Sequence, residues 1–149
     1  MESSLVSTLN KLIETSNNGK LGFEKSAKLT HDPSLKSIFE KHAMSCSAAV
    51  EELRQAVINS GGEAQTGGTM AGMLHRGWTE MVAAVTGHDD HDILAECERG
   101  EDHAKEVYSK ALEDNLPADI KAMIERQFAS VKETHDEIRN LRDQYAASK

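Results

Sequence analysis

Four long stretches of this chain place an apolar or small residue at every third or fourth position, and few residues interrupt them. That spacing commits each stretch to a helix with one buried face. The first runs from about 3 to 30, with Leu5, Leu9, Leu12, Ser16, Gly19, Phe23 and Ala27 in phase. The second runs from Pro33 to about Ser60 through Leu35, Phe39, His42, Cys46, Val50, Leu53 and Val57. The third starts at Asp89 or Asp90, ends near Asp114, and carries Leu94, Cys97, Glu101, Ala104, Tyr108 and Leu112. The fourth runs from Pro117 to about Ala146 through Ile120, Ile124, Phe128, Val131, His135, Ile138, Leu141 and Tyr145. No stretch alternates with period two, and aromatic residues make up only 4% of the chain, so a sheet is not expected.

The breaks set the topology. His31-Asp32-Pro33 and Asn115-Leu116-Pro117 are tight, so helices one and two, and three and four, form antiparallel hairpins. Residues 61–69 read as a flexible linker. Residues 70–86 read as a short amphipathic helix carrying Met70, Met73, Leu74, Trp78 and Met81. A connection this long is expected to cross the bundle and set helix three parallel to helix two. The expected fold class is therefore all-α: a ferritin-like four-helix bundle with an additional crossover helix, one domain over 1–149. Asn17-Asn18-Gly19 reads either as a turn or as a run of small residues in a continuous helix; the unbroken phase favours continuity.

Charge narrows the functional classes. With 17 basic and 25 acidic residues the net charge is −8, which repels nucleic-acid phosphates and anionic membranes. No apolar run approaches the roughly 18–20 residues that span a bilayer. The start of the chain lacks a basic-then-apolar leader, so a cytoplasmic location is expected. Cys46 and Cys97 are then expected to be reduced and buried. No nucleophile elbow is present, and Gly67-Gly68 lacks the Lys and Ser/Thr of a phosphate-binding loop.

Counted outward from the tight turns, Asn17, Cys46, Glu101 and His135 fall near the same height, the middle of the bundle. A glutamate and a histidine in phase with the core must find partners. Either they hold a metal with facing residues, or they form a hydrogen-bonded pair that fixes helix register. One glutamate and one histidine are few ligands for a redox metal.

The segments Leu9-Asn10-Lys11-Leu12-Ile13-Glu14, Leu74-His75-Arg76-Gly77-Trp78, Thr86-Gly87-His88-Asp89-Asp90 and Leu94-Ala95-Glu96-Cys97-Glu98-Arg99-Gly100-Glu101-Asp102 carry a further signal. Together they resemble an uncharacterised bacterial family of four-helix-bundle proteins, a domain of unknown function near the rubrerythrins. The resemblance implies a ferritin-like fold and no settled activity. Rubrerythrins carry Glu on helix one, Glu-x-x-His on helix two, Glu on helix three and Glu-x-x-His on helix four. Aligned by register, Asn17 stands for the first Glu, and Cys46 and Ala49 for the second-helix pair. Glu101 matches the third-helix Glu, with Glu98 one turn before, and Lys132 and His135 stand at the fourth-helix pair. No Glu-x-x-His occurs anywhere in the chain. The resemblance therefore implies a reduced metal site of Glu98, Glu101 and His135, not a complete di-iron centre.

Three functional expectations follow. The first is a non-enzymatic scaffold or interaction module, linked by family analogy to stress physiology, with no resident cofactor. The second is iron or manganese bound by Glu98, Glu101 and His135. The third is a small apolar ligand held in the slot beside Ser16 and Gly19. The 70–86 helix is a candidate partner surface, and a bundle of this size is expected to self-associate. His88-Asp89-Asp90-His91-Asp92 is a dense ligand cluster, read more simply as an acidic helix start. Glu51, Glu52 and Arg54, and Glu133 with Asp136, Glu137 and Arg139, read as solvated faces.

Overall fold

The computed structural model describes residues 2–63 and 89–147. The helix expected over 70–86, with Trp78 and its methionines, lies outside the described residues, as does His88. The described residues form four helices and no strand: α1 (Glu2–Leu29), α2 (Pro33–Asn59), α3 (Asp90–Ala111) and α4 (Ala118–Ala147). None of them is long and apolar enough to cross a membrane.

Each boundary has a local cause. Asp32 caps α2: its Oδ1 accepts from the Ser34 amide at 2.8 Å and the Leu35 amide at 3.4 Å, and Pro33 follows in the first turn. Gly61, at φ 83°, takes the left-handed conformation that closes α2. Asp89 caps α3 by accepting from the His91 amide at 2.8 Å. Helix α1 runs unbroken through Asn17-Asn18-Gly19. Gly19 belongs there because a Cβ would stand 3.1 Å from Cys46 Sγ, so the small residue lets α1 and α2 close up.

Cross-helix contacts fix the directions. Thr8 meets Asp114, Ser16 meets Tyr108, Ser26 meets Cys97 and Thr30 meets Asp90, so α1 runs antiparallel to α3. His42 meets Glu137 and Glu52 meets Arg126, so α2 runs antiparallel to α4. With α1 also antiparallel to α2 across the 30–32 turn, α2 and α3 are parallel and lie on a diagonal. The hairpin pairs pack most closely, and the α2–α4 seam is the loosest.

The core is divided. One apolar cluster holds Leu9, Leu12, Ile13, Leu53, Val57 and Ile124; the other holds Phe23, Leu35, Phe39, Ile93, Leu94 and Ile138. Most of these side chains are fully buried, each worth roughly 1.5–3 kcal/mol of transfer free energy. Small and polar residues separate the clusters along the phase that the sequence predicts: Ser16, Gly19, Cys46 and Glu101.

Candidate functional site

A cavity of about 820 Å³ occupies this waist. At the α1–α3 seam its walls are Thr15, Asn18, Gly22, Glu96 and Gly100; at the α2–α4 seam they are Ser45, Ala48, Glu52, Ser130 and Thr134. Ser16, Gly19, Cys46, Glu101, Ala104 and Tyr108 form the inside. The void exists because α1 and α2 present small side chains where a core would carry Leu or Ile.

One wall is a hydrogen-bonded path through all four helices. The Tyr108 hydroxyl donates to Gln127 Oε1 at 2.8 Å, which leaves it to accept from Ser16 Oγ at 3.1 Å. Gln127 Nε2 donates to Glu52 Oε1 at 2.8 Å, and Arg126 pairs with the other Glu52 oxygen. The Arg126 hydrogen bond holds the Glu52 carboxyl below its ordinary range, against a smaller opposing effect of burial. Glu52, read from sequence as part of a solvated face, is half-buried and tied into this path.

Glu101 is different. It is 6% exposed and lines the cavity, yet its carboxyl has no hydrogen bond or ion pair among the described residues. Burial, reinforced by the charge of Asp102, pushes it up to about 8, so it is a neutral acid at pH 7. Asn18 Oδ1 is likewise buried without a hydrogen-bond partner among the described residues, and Asn18 lines the same cavity. Cys46 and Cys97 are both free thiols. Burial raises both, Cys97 to about 12, so neither is a thiolate at neutral pH. Ser26 Oγ donates to the Gly22 carbonyl at 2.9 Å and lies 3.1 Å from Cys97 Sγ, which places the thiol as donor to Ser26.

Glu98 and His135 come together at the α3–α4 seam, but Glu101 does not join them. His135 Nε2 lies 2.8 Å from Asp102 Oδ1 and 3.6 Å from Glu98 Oε2. Its Nδ1 lies 3.1 Å from Asp136 Oδ1. The reason is helical phase. Glu98 and Asp102 are four residues apart and share the face toward α4, whereas Glu101 is turned toward the bundle centre. Ligand atoms of Glu98, Asp102 and His135 all lie within 4.8 Å of one another, an arrangement able to hold one metal ion. Arg142 pairs with Glu98 at the same place. The side chain of His135 is 8% exposed and that of Asp102 59%, so the triad sits at the rim of the bundle.

A second buried histidine, His42, faces Glu137 Oε1 at 2.6 Å and the ring of Phe23 at 5.3 Å between centroids. Burial lowers its pKa, partly offset by Glu137.

The family model described as "Domain of unknown function (DUF2383)" matches residues 4–114. The chain belongs to that family. No curated protein matches it. In this DUF2383 member the matched stretch takes in most of α1 with all of α2 and α3, and stops before α4. Ser16, Asn18, Cys46 and Glu101 thus lie within it, whereas Gln127 and His135 lie beyond.

Sequence reasoning passed over Asp102, Asn18, Gln127 and the polar role of Tyr108. Asp102 was legible as the i+4 neighbour of Glu98. Gln127 was not, because it sits one position off the apolar stripe through Ile124, Phe128 and Val131.

Proposed function

We propose that this protein is a non-enzymatic, ferritin-like bundle that binds a small, largely apolar molecule in its mid-bundle cavity. The parallel course of α2 and α3 supports the ferritin-like reading, since a crossover connection is the simplest way to join them. The observation that carries the binding reading is the void itself, of about 820 Å³, with a buried Glu101 on its wall that has no hydrogen bond or ion pair among the described residues. Interiors normally pack without such gaps, and a buried polar group normally finds a partner. A ligand that fills the one and meets the other explains both.

Displacement of a neutral fluorescent probe such as N-phenyl-1-naphthylamine, with a thermal-shift screen of apolar compounds, tests this. Binding to the native state must raise its melting temperature. A chain that neither takes up the probe nor gains stability from any compound has no such function. Self-association and a protein partner on the 70–86 segment belong to the same reading, in which the bundle is an interaction module of the cytoplasm.

A second reading rests on the Glu98–Asp102–His135 triad. Two carboxylates and an imidazole suit a single divalent ion such as iron or manganese, with the Nδ1–Asp136 contact orienting the ring. Metal analysis of protein purified without chelators or a histidine tag decides it. One equivalent of iron or manganese, lost in His135→Ala, would support the reading; no bound metal in the unaltered chain would end it.

A further inference from the structure

We propose that the α2–α4 seam is the entrance to the cavity, and that the ligand is a single-chain amphiphile held tail-first, its chain inside and its polar end in the seam. This rests on the cavity-binding reading above and adds the route and the shape of the ligand.

The entrance follows from exposure. Two sets of polar contacts tie α2 to α4. In one, His42 Nε2 lies 2.6 Å from Glu137 Oε1, with Lys41 Nζ 3.8 Å from the same oxygen. In the other, Glu52 meets Arg126 and Gln127. On each helix the two sets are about ten residues apart, which is about 15 Å. Between them stand Ser45, Ala48 and Ala49 on α2, with Ser130 and Thr134 on α4, all on the cavity wall. Ser45, Ala48 and Ser130 are nonetheless exposed. Residues that face both the void and the solvent mark a place where the two communicate. This is also the loosest of the seams. At the α1–α3 seam the helices pack more closely, and Thr15 and Glu96 on the wall are buried.

The shape of the entrance selects the ligand. A slot between two intact helices is long and narrow, and the alanines and serines on its edges suit a body one methylene wide. Hydroxyls of Ser45, Ser130 and Thr134 stand at the rim, and Gly19, Cys46 and Ala104 lie behind them. That order, polar outside and apolar within, matches an amphiphile that enters by its tail. Each methylene that leaves water should tighten binding about fourfold. The head group stays in the slot and keeps its hydration, so no charge on it has to be buried. The charged side chains at the two ends of the slot are already paired with one another.

The experiment uses the full chain and three readouts. In stopped-flow fluorescence, Ala48→Trp fills the slot from an exposed position and should slow both uptake and release of N-phenyl-1-naphthylamine about tenfold or more, with a smaller change in Kd. Gly100→Trp, at an exposed position on the cavity wall at the other seam, should leave both rates unchanged. In calorimetry, 1-decanol should bind about tenfold or more tighter than 1-adamantanol, which has the same ten carbons and the same hydroxyl in a compact cage. In tethering, decyl methanethiosulfonate is attached through a disulfide to Ala48→Cys, Ser130→Cys or Met44→Cys, each in a Cys46→Ser background that removes the native thiol on the wall. The decyl chain at position 48 or 130 should raise the melting temperature and abolish probe uptake. At Met44, which is 73% exposed and off the cavity wall, it should do neither. Slower exchange in Gly100→Trp alone, or probe uptake unaffected by a chain at 48 and 130, overturns the entrance. Equal or tighter binding of adamantanol overturns the single-chain class. Both outcomes leave cavity binding intact, whereas no binding of the probe or of either alcohol by the unaltered chain overturns the cavity reading as well.

Discussion

At the scale of the residue, Glu101 stands out because its environment prefers the proton to the charge. The carboxyl titrates near 8 when folded and near its ordinary 4.5 when unfolded. The native state therefore binds the extra proton between those values, and stability falls as pH rises through that window. By pH 7 the loss is on the order of 3 kcal/mol. Glu101→Gln keeps the shape and removes the titration. It should raise the urea midpoint clearly at pH 7.5 and much less at pH 5, and an equal shift at both would argue that ionisation is not the cause. His42 works in the opposite sense. Its pKa is lowered on folding, so the unfolded chain gains a proton first as pH drops below the ordinary 6.5, and stability falls on the acid side.

At the scale of the element, helix ends and glycines carry the testable energetics. Asp32 caps α2 and also accepts from the Tyr145 hydroxyl near the far end of α4. Asp32→Ala should cost about 1–2 kcal/mol in urea unfolding at pH 7. Tyr145→Phe, which leaves the cap in place, should cost less. Gly100 lies mid-helix in α3, and a Cβ there would meet nothing within 4 Å. Gly100→Ala should therefore stabilise by about 0.5–1 kcal/mol through helix propensity, read as a rise in melting temperature. Gly62→Ala should do the reverse, because its Cβ would stand 2.6 Å from a Val6 methyl. The helices were legible in the sequence because Pro33, Asp32 and Gly61 punctuate long periodic runs. The unbroken path of α1 through Asn17-Asn18-Gly19 was legible from phase alone. The partners within the site were harder to read. Periodicity assigns a residue to a helix face, but a rotation of some 60° separates the direction of Glu101 from that of Glu98. Only packed helices decide which of the two meets His135. Glu52 and Gln127 could not be read because each faces a seam, and seams are defined by neighbours rather than by local pattern.

At the scale of the whole molecule, the two opposing titrations combine. Below about pH 6.5 the acid-side loss from His42 opposes the base-side loss from Glu101, so stability should change less steeply there than above it. Above about 6.5 that opposition from His42 fades, and Glu101 should make the melting temperature decline toward pH 8. In Glu101→Gln that decline should disappear; its persistence would place the titrating group elsewhere. The waist also has a mechanical side. Two apolar clusters are joined by a hollow, and a hollow is the part of a protein that hydrostatic pressure eliminates on unfolding. The bundle should accordingly yield at modest pressure for its thermal stability, and any occupant of the hollow should stiffen it. The gap in the packing is, in volumetric language, the softest part of the molecule and the part a guest would harden most.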